Sequence, residues 1–589
     1  MSGARDSTTT GGAAPTADGS GRAVTSASWL PLIVVVLTQI QASFAVNALT
    51  VSMAGITTDL DTPATSVGTA ITAGTFAMAA FILLGAKIGS RFGSRGVFQV
   101  AVAIHGLAML GVALSVSPAM LFIAQASSGA VIALIAPALV VFIASNYHGA
   151  QQARAIGFLA AAIPAAGVLA LLLAGWFATT IGWRWSFALM VALAAINLLL
   201  SFRLKKVPAQ PGLTIDWTGA ILAAVGIILL SFGFSGLATW GLWLATPQAP
   251  FDVLGLSPAP LLIIAGLIVG QAFFAWLRRR GREGKPRIFD LRVLATGSER
   301  AVTACMATML FVGTAANFLI PLYIQVVQGR SSIETSFSII PYTLSIFVAS
   351  TFVAYLYDRF TPRVLATAGF IVVASALALL AFTVRGEWSQ GFVVAGLILL
   401  GLGQGAIVAL VFNTLLSAAP RQLAGDVGAW RGLVHNLSGS VGIAVASAFA
   451  VGMLSALLLS GAQEHPEISD ELIAQVNINE ANFLTNEQLA DVLGSRASGP
   501  ELDAAIAVNA EARLEALKIS LLGLAAISLL AIVPATRMPG RRRGDLPEKL
   551  EPDDDDDIDD VVDPDVDASL DAAVDPALDP ALDEREAHA

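Results

Sequence analysis

The chain has 589 residues, of which 56% are hydrophobic and 13% are charged, and its mean hydropathy is +0.74. Soluble domains average about 25% charged residues, so this composition excludes a purely soluble protein and predicts that most of the chain lies in lipid. The formal net charge of −10 arises from residues 551–589, which hold seventeen acidic residues and one arginine, so the rest of the chain has a net charge of +6.

Residues 1–27 are rich in Ser, Thr, Gly and Ala without periodicity, which predicts a disordered cytoplasmic segment. They contain no short apolar stretch with a cleavage site, so no cleaved signal peptide is expected. Beyond them, runs of roughly 20 apolar residues, the length that crosses a bilayer, predict fourteen transmembrane helices. The runs begin near Trp29, Ser66, Val97, Ala119, Ala155, Trp185, Trp217, Pro260, Ala301, Phe337, Val364, Gly391, Gly428 and Leu514.

Lysine and arginine are distributed unevenly between the two sets of loops that join these helices. One set carries clusters of cations, at 87–95, 203–206, 278–292 and 541–543 among others. The other set carries only single arginines, which are Arg184, Arg330, Arg385 and Arg496. Cytoplasmic loops are enriched in Lys and Arg, and an even number of spans puts both ends on one side. Both termini are therefore predicted to be cytoplasmic, in a multi-pass plasma-membrane protein.

Two segments are predicted to lie outside the membrane. The external loop expected at 460–512 contains Thr485 and Gln488 in capping-box spacing, which predicts a short helix. The acidic cytoplasmic tail expected at 536–589 contains five consecutive aspartates at 553–557, and such a charge run stays disordered. A solvated tail and a specific partner site are both open interpretations of this segment. The single cysteine, Cys305, excludes an internal disulfide.

A short basic motif occurs twice in the chain. Residues 90–95 read SRFGSR and residues 358–363 read DRFTPR, so both have the form x-R-F-x-x-R. The first joins predicted spans 2 and 3, and the second joins spans 10 and 11. If spans 7 and 8 are an insertion, the motifs occupy equivalent places in two six-helix halves, a recurring transporter architecture. The expected domains are an N-terminal half at 28–203, two inserted helices at 204–280, a basic cytoplasmic loop at 281–300 and a C-terminal half at 301–535.

Several segments together carry a family resemblance. Ile88, Arg91, Gly93 and Arg95 fit a loop of the form G-x-L-a-D-R-x-G-R-K. Further similar segments are 123–137 (IAQASSGAVIALIAP), 182–187 (GWRWSF), 425–444 and, most specific of all, 318–341 (FLIPLYIQVVQGRSSIETSFSIIP). With these segments the chain resembles the major facilitator superfamily, specifically its fourteen-span drug–proton antiporter branch, over residues 29–535.

The resemblance implies an all-α membrane fold of two six-helix halves that rock about a central cavity. The implied activity is efflux of a small amphipathic organic solute coupled to proton entry, with no cofactor, no metal and no nucleic-acid partner. The expected partners are the lipid bilayer, a small-molecule substrate and, if transport is coupled, protons, and the monomer is expected to be functional. A span 5 hinge is implied at Pro164 and Gly167. The implied cytoplasmic gating loops contain Ser90, Arg91, Gly93, Arg95, Asp358, Arg359 and Arg363.

The chain departs from the family pattern at its charged positions. Gln41 stands where the branch carries a span 1 Asp, Ser90 replaces the loop Asp, and Gln125 replaces the span 4 Arg. Of the span 5 antiporter motif, only Pro164 and Gly167 remain. Proton-coupled carriers need a group that titrates inside the membrane, yet no Asp or Glu lies in the middle of any predicted span. Coupling through histidine, coupling through the substrate's own proton and uncoupled movement all remain open.

The ionisable groups expected inside spans are His105, Arg431 and His435. Arg431 and His435 are four residues apart, so they share one helix face. One hypothesis is that this pair lines the cavity and binds an anionic or hydrogen-bonding substrate group. The alternative is a cytoplasmic Arg431 paired with Asp426 or lipid phosphate, beside a packing histidine. The other polar candidates for substrate or coupling contacts, each of which is alternatively a link between helices, are Gln41, Asn47, Gln125, Asn317 and Gln404.

Two other classes of function are weighed against transport. The sequence has no H-E-x-x-H, phosphate-loop or nucleophile-elbow motif. ATP-driven transport on this chain is therefore excluded, and a membrane enzyme, which lacks any catalytic constellation here, ranks third. A transporter-derived scaffold or sensor, with the external loop and acidic tail as binding elements, stays as the alternative. Loss of the charged motif residues favours the scaffold, whereas retention of polar amides at those positions favours transport.

Overall fold

A computed structural model gives the fold, and the structure describes residues 28–147, 149–385, 390–418, 424–465, 468–469, 489–490, 493 and 499–540. The first half of the chain forms α1 (Leu30–Val51), α2 (Met53–Asp59), α3 (Ala64–Phe92), α4 (Ser94–Ala113), α5 (Pro118–Asn146), α6 (Gly149–Thr180), α7 (Arg184–Ser201), α8 (Trp217–Trp240) and α9 (Pro258–Arg282). The remainder forms α10 (Gly297–Leu322), a π-helical segment (Tyr323–Val327), α11 (Ser332–Arg359), α12 (Pro362–Thr383), α13 (Gln390–Ala418), α14 (Ala424–Glu464), α15 (Gly499–Leu530) and the short α16 (Ile532–Ala535).

The all-α prediction is confirmed, and each of the fourteen predicted apolar runs falls on one long helix. Thirteen helices among the described residues are long and apolar enough to cross a membrane, and α6 adds a shorter apolar stretch, Ala165–Thr180. The count of fourteen spans therefore stays a prediction. The predicted capping box at 485–488, the segment 1–27 and the acidic residues 551–589 lie outside the described residues.

Local sequence signals explain where several helices begin. Proline occupies the first turn of α5, α9 and α12, where its missing N–H costs no hydrogen bond. α10 and α11 begin with capping boxes that the sequence analysis did not single out. Thr296 Oγ1 accepts from the Glu299 N–H at 3.1 Å, while the Glu299 carboxylate accepts from the Thr296 N–H at 2.9 Å. Ser331 and Glu334 repeat this arrangement.

The two halves repeat one packing scheme. α3 packs on α5, α5 on α4, and α1 on α6 and α7; correspondingly, α11 packs on α13, α13 on α12, and α10 on α14 and α15. The second and fourth membrane-spanning helices of each half, α3 with α5 and α11 with α13, meet at glycine residues. A Cβ atom on Gly129 of α5 would overlap the Gly74 carbonyl of α3, and one on Gly405 of α13 would overlap the Ile346 carbonyl of α11. Such close approach tolerates no side chain, which is the usual role of small residues between membrane helices.

The repeated x-R-F-x-x-R motif makes the same contact in both halves. Arg95 donates to the Phe202 carbonyl at 2.6 Å, just after α7, the last helix of the first half. Arg363 donates to the Met538 carbonyl at 3.4 Å, just after α16 at the end of the second half. The second arginine of each motif thus binds the chain where its own half ends. The sequence predicted equivalent positions for the two motifs but not this shared partner.

The turn between α3 and α4 consists of Gly93 alone, with φ +93°, a backbone conformation that favours glycine. Ser90 lies within α3, and its hydroxyl donates back to the Ala86 carbonyl of the same helix at 3.1 Å. We call this end of the bundle the basic end, because Arg95, the end of α7 and the loop after α9 all lie there. The other end, where α2 and the π-helical segment lie, is called the opposite end.

Candidate functional site

One face of α14 carries a contact with α10 and, further toward the basic end, two of the predicted site residues. The Thr314 hydroxyl on α10 donates to the Gly439 carbonyl at 2.8 Å, which closes α10 onto α14 at this level. One turn and two turns toward the basic end, the same face carries His435, which is exposed, and Arg431, which is half-buried.

The neighbouring face of α14 is clamped along α3. The Ser440 hydroxyl donates to Thr75 Oγ1 at 2.5 Å, and Gly432 lies directly against Ile82. At the basic end, Lys87 Nζ lies 3.7 Å from an Asp426 carboxylate oxygen. From Thr75 to Lys87 these contacts follow α3 for about 18 Å at the helical rise per residue. α3 belongs to the first half and α14 to the second, so this clamp joins the two halves.

Three of the predicted amide contacts lie inside the helix packing of one half. Asn197 on α7 donates to Gln41 Oε1 at 2.8 Å, and both side chains are fully buried. In the second half, Tyr342 on α11 donates to Gln404 Oε1 at 2.6 Å. Gln125 is buried where α5 approaches Gly74 of α3. Among the described residues, the Nε2 atoms of all three glutamines have no hydrogen-bond partner. Gln41 and Gln404 thus link helices, and all three glutamines retain an unused donor.

The remaining polar candidates are dispersed. Asn47 donates to the Ser43 carbonyl of its own helix at 2.8 Å, and Asn317 is half-buried on α10. His105 Nδ1 lies 3.0 Å from Ser128 Oγ, so this buried histidine joins α4 to α5. Gly167 of the predicted hinge faces Thr343 of α11. The side chains of Pro164 and Asp358 are outside the described residues; Arg359 is exposed and Arg91 half-buried.

The opposite end is joined by a residue that the sequence analysis missed. The helix that begins at Leu30 breaks at Ser52, between α1 and α2, and turns of this kind leave backbone groups without their helical partners. The Gln325 side chain, in the π-helical segment, forms hydrogen bonds with two of these backbone groups. Its Oε1 accepts from the Ala54 N–H at 3.0 Å, and its Nε2 donates to the Val51 carbonyl at 3.2 Å. One side chain of the second half therefore completes the backbone of the first.

The π-helical segment is held in place from within its own half. Arg513 of α15 is buried and donates to the Val326 carbonyl at 3.0 Å and to the Asn509 carbonyl at 3.3 Å. The Tyr323 hydroxyl donates to the Arg385 carbonyl at 2.6 Å. The sequence does not predict Arg513 as an ionisable residue of a span, because the last apolar run begins near Leu514. α15 already begins at Gly499, so this arginine lies within a continuous helix.

The sequence profile of the Major Facilitator Superfamily matches residues 35–443 of this chain. The chain belongs to the Major Facilitator Superfamily. It is therefore a membrane transporter of that superfamily rather than an enzyme, as the motifs at 90–95 and 318–341 led us to expect. The matched region includes the inserted helices α8 and α9 and ends within α14.

Curated relatives of the superfamily are similar to this chain at low identity. The tetracenomycin C resistance and export protein of Streptomyces glaucescens is 24% identical over 63% of this chain and 66% of its own length. The puromycin resistance protein of Streptomyces alboniger is 25% identical over 73% of this chain and 83% of its own length. Among solved structures, a bacterial homologue of the human lysosomal transporter Spinster, inward-facing and occupied, superposes with a TM-score of 0.55 at 16% identity, covering 86% of this chain and 96% of that one. That likeness shows the fold.

Proposed function

We propose that this superfamily member is a secondary transporter that exports small amphipathic organic compounds from the cytoplasm by alternating access. The relatives named for tetracenomycin C export and puromycin resistance support the class of solute. The cation-rich loops support an orientation with the basic end in the cytoplasm. In this orientation both termini are cytoplasmic and the α2 end faces the exterior.

The observation that carries the proposal is the contact that joins the halves at the opposite end. Gln325 of the second half hydrogen-bonds the Ala54 N–H and the Val51 carbonyl of the first. Toward the basic end, His435 on α14 is exposed. A cleft that is closed outside and open toward the cytoplasm is the state in which an exporter receives its solute. Transport then requires that the Gln325 contacts break and the basic end close.

We propose that Arg431 and His435 contact the solute in this cleft. A guanidinium carries five N–H donors in a planar fork and binds carboxylates, sulfonates or phosphates in a bidentate manner. The predicted spans hold no Asp or Glu in their middle, so an anionic group in the cleft has no acidic neighbour there to repel it. We therefore expect anionic or neutral amphipathic solutes to be carried in preference to cations. Proton coupling, if present, then uses His435 or the solute's own acid.

Flux measurements on the full chain in liposomes test the transport proposal. Anilinonaphthalene sulfonate, an anionic amphipath, should move faster than through empty liposomes and faster than the ethidium cation. Arg431→Gln should lower sulfonate flux about tenfold, as expected for loss of a charge-assisted hydrogen bond. Arg203→Gln, an exposed arginine at the same end, is the matched control and should leave the flux unchanged.

The possible outcomes distinguish whether the protein transports at all from which residues contact the solute. No flux of either probe, with protein correctly inserted, would refute transport and favour the scaffold alternative. Flux that ignores Arg431→Gln and His435→Gln would leave transport standing and refute the assigned contact residues. Imposing a pH gradient then distinguishes coupled export from uncoupled movement, because coupled flux must respond to the gradient.

A further inference from the structure

The segment that follows α9 concentrates positive charge on one surface. Between residues 278 and 300 the chain holds eight Lys and Arg against three Asp and Glu. Five of the exposed cations form what we call the basic patch, which consists of Arg278, Arg279, Arg282, Lys285 and Arg292; Arg300, also exposed, belongs to α10. Other loops at the same end carry cations as well, but in the described part of the chain the next largest exposed group, Arg203, Lys205 and Lys206, has three.

The acidic residues nearby do not neutralise the basic patch. Glu283 is shared by Arg279 at 2.9 Å and Lys285 at 2.7 Å. Asp290 is likewise shared by Arg287 at 3.4 Å and Arg292 at 2.9 Å. Each carboxylate thus accepts from two cations, so even the paired groups keep a net positive charge. The carboxylates orient the cations on the surface without cancelling them.

The position of the basic patch coincides with the edge of an apolar surface. α9 is among the helices least covered by the rest of the bundle, and Ile264, Leu267 and Ile268 on it are exposed. Near the end of the helix, Trp276 donates to Asp216 at 3.1 Å, and Arg280 lies 5.7 Å above its ring. Tryptophan at the end of an apolar span marks the level of the lipid headgroups. The arginines of the last turn therefore emerge at headgroup level.

The basic patch is connected to the base of α14. Phe289, in the loop that carries the patch, stacks on Trp430 with ring centroids 5.0 Å apart, and Phe274 of α9 meets the same ring edge-on at 6.3 Å. Trp430 also donates to Thr303 of α10 at 3.3 Å. Trp430 lies one residue before Arg431 and one turn after Asp426. The loop is thus packed against the part of α14 that carries the cleft and the clamp.

We propose that the basic patch is a binding surface for the headgroups of anionic phospholipids in the membrane leaflet around it. Clusters of four to eight Lys and Arg directly beside a membrane helix attract anionic lipid headgroups electrostatically. The group that the basic patch would bind is the singly charged phosphate of a lipid headgroup. The assignment of this leaflet as cytoplasmic rests on the proposed orientation, whereas the binding itself depends only on the surface.

Binding is tested on the purified full chain in nanodiscs made from phosphatidylcholine with increasing phosphatidylglycerol. The unfolding midpoint of the native chain should rise with the phosphatidylglycerol fraction. In the triple variant Arg278→Gln, Arg279→Gln, Arg282→Gln, at least about tenfold more phosphatidylglycerol should be needed for the same shift. The triple variant Arg203→Gln, Lys205→Gln, Lys206→Gln removes equal charge at the same end and should behave like the native chain.

Further arms keep the proposal falsifiable. The charge-conserving variant Arg278→Lys, Arg279→Lys, Arg282→Lys should restore most of the response, which excludes misfolding as the cause. Soluble glycerol phosphate at matched phosphate concentration should not reproduce the shift; if it does, the site binds free anions and the lipid proposal is wrong. Equal losses in both neutralised variants, or no response of the native chain to phosphatidylglycerol, would also overturn it.

Discussion

The two contact lines between the halves, α3 with α14 and α6 with α11, are built differently. The first is held by Thr75 with Ser440 and by Lys87 with Asp426, and the inserted helix α8 packs over both of its members. The Thr72 and Ser235 hydroxyls, 3.3 Å apart, tie α8 to α3. The second line meets at Gly175, which lies directly against Ser336 near the opposite end. No inserted helix packs over this line among the described residues.

This difference identifies which contact line is expected to move. The first line has charged and hydroxyl contacts from its middle to the basic end and is covered by α8, so it is expected to resist separation. The second line is closed through small residues near the opposite end, so it is expected to open toward the basic end. The inserted helix α8 thus makes α3 and α14 the axis of rocking, while α6 and α11 separate and close. Four predictions test this comparison.

The largest effect on flux is expected when a bulky side chain is introduced between α3 and α14. Gly432→Leu places a branched side chain where Ile82 already lies, and overpacking of this kind costs about 1–3 kcal/mol. Flux of the sulfonate probe should fall at least tenfold. Gly452→Leu is the matched control on an exposed position of the same helix, where a new Cβ meets no described heavy atom within 4 Å, and it should leave flux unchanged. Equal losses in the two variants would contradict the assigned clamp.

The next effect concerns the contact that closes the opposite end. Gln325→Leu leaves the Ala54 N–H and the Val51 carbonyl without their partner, at a cost of about 1–3 kcal/mol to the closed state. The population open at the opposite end should rise at least tenfold, measured as thiol labelling of a cysteine introduced at Ser52. Gln328→Leu, whose amide donates to Tyr323 within one half at 2.8 Å, is the control and should not raise labelling.

A smaller effect is expected from the ion pair of the clamped line. Asp426→Asn removes one partner of a half-buried pair at 3.7 Å, and such pairs contribute about 0.5–1 kcal/mol. Flux should change two- to fivefold. The double exchange Lys87→Asp, Asp426→Lys should restore only part of it, because an acid in the first turn of α14 also favours the helix dipole. If the effects of the single variants Lys87→Asp and Asp426→Lys simply add up to that of the double exchange, the two side chains are not coupled.

The smallest effect is expected from pH on the basic patch, which packs against the clamped line. Hydrogen bonds from Lys285 and Arg279 lower the pKa of Glu283 to about 2. Burial alone would raise the pKa of Asp290, but hydrogen bonds from Arg292 and the charge of Arg287 outweigh it and lower that pKa. Carboxylates with lowered pKa values keep their pairs until the pH falls through those values. The phosphatidylglycerol response should therefore be flat between about pH 5 and 8, and a steep change there would contradict the assigned pairs.

The sequence predicted the helices well and the contacts poorly. Apolar runs located every long helix, and the repeated motif placed Arg95 and Arg363 at equivalent turns. The face that each polar side chain presents was not readable, because spans such as α5, α8 and α13 are apolar all round and have no polar stripe to orient them. Gln41 and Gln404, for which substrate contact and a link between helices were both open, each hydrogen-bond to another helix of their own half.

The contacts that join the halves depend on pairs far apart in the chain. Gln325 contacts the helix break at Ser52, and neither segment carries a sequence feature that predicts contact with the other. The only sequence signal was that 318–341 carried the most specific family resemblance, with Pro321 inside a span. Arg513 was missed because its charge interrupts an apolar run, although the helix continues through it. Length and hydropathy predict which segments span the membrane. The hydrogen bonds that join the two halves can be identified only once the fold places their partners side by side.

Distances across both contact lines at the basic end test the central claim most directly. Spin labels at Phe158 and Tyr355 report on α6 with α11, and labels at Phe92 and Gly428, both exposed, report on α3 with α14. Each pair is measured in the otherwise native chain and in Gln325→Leu, which favours opening of the opposite end. The account predicts that the α6–α11 distance shortens by at least about twice the change seen across α3–α14, as in hinged closure. Equal changes, or a larger change across α3–α14, would contradict rocking about the clamped line.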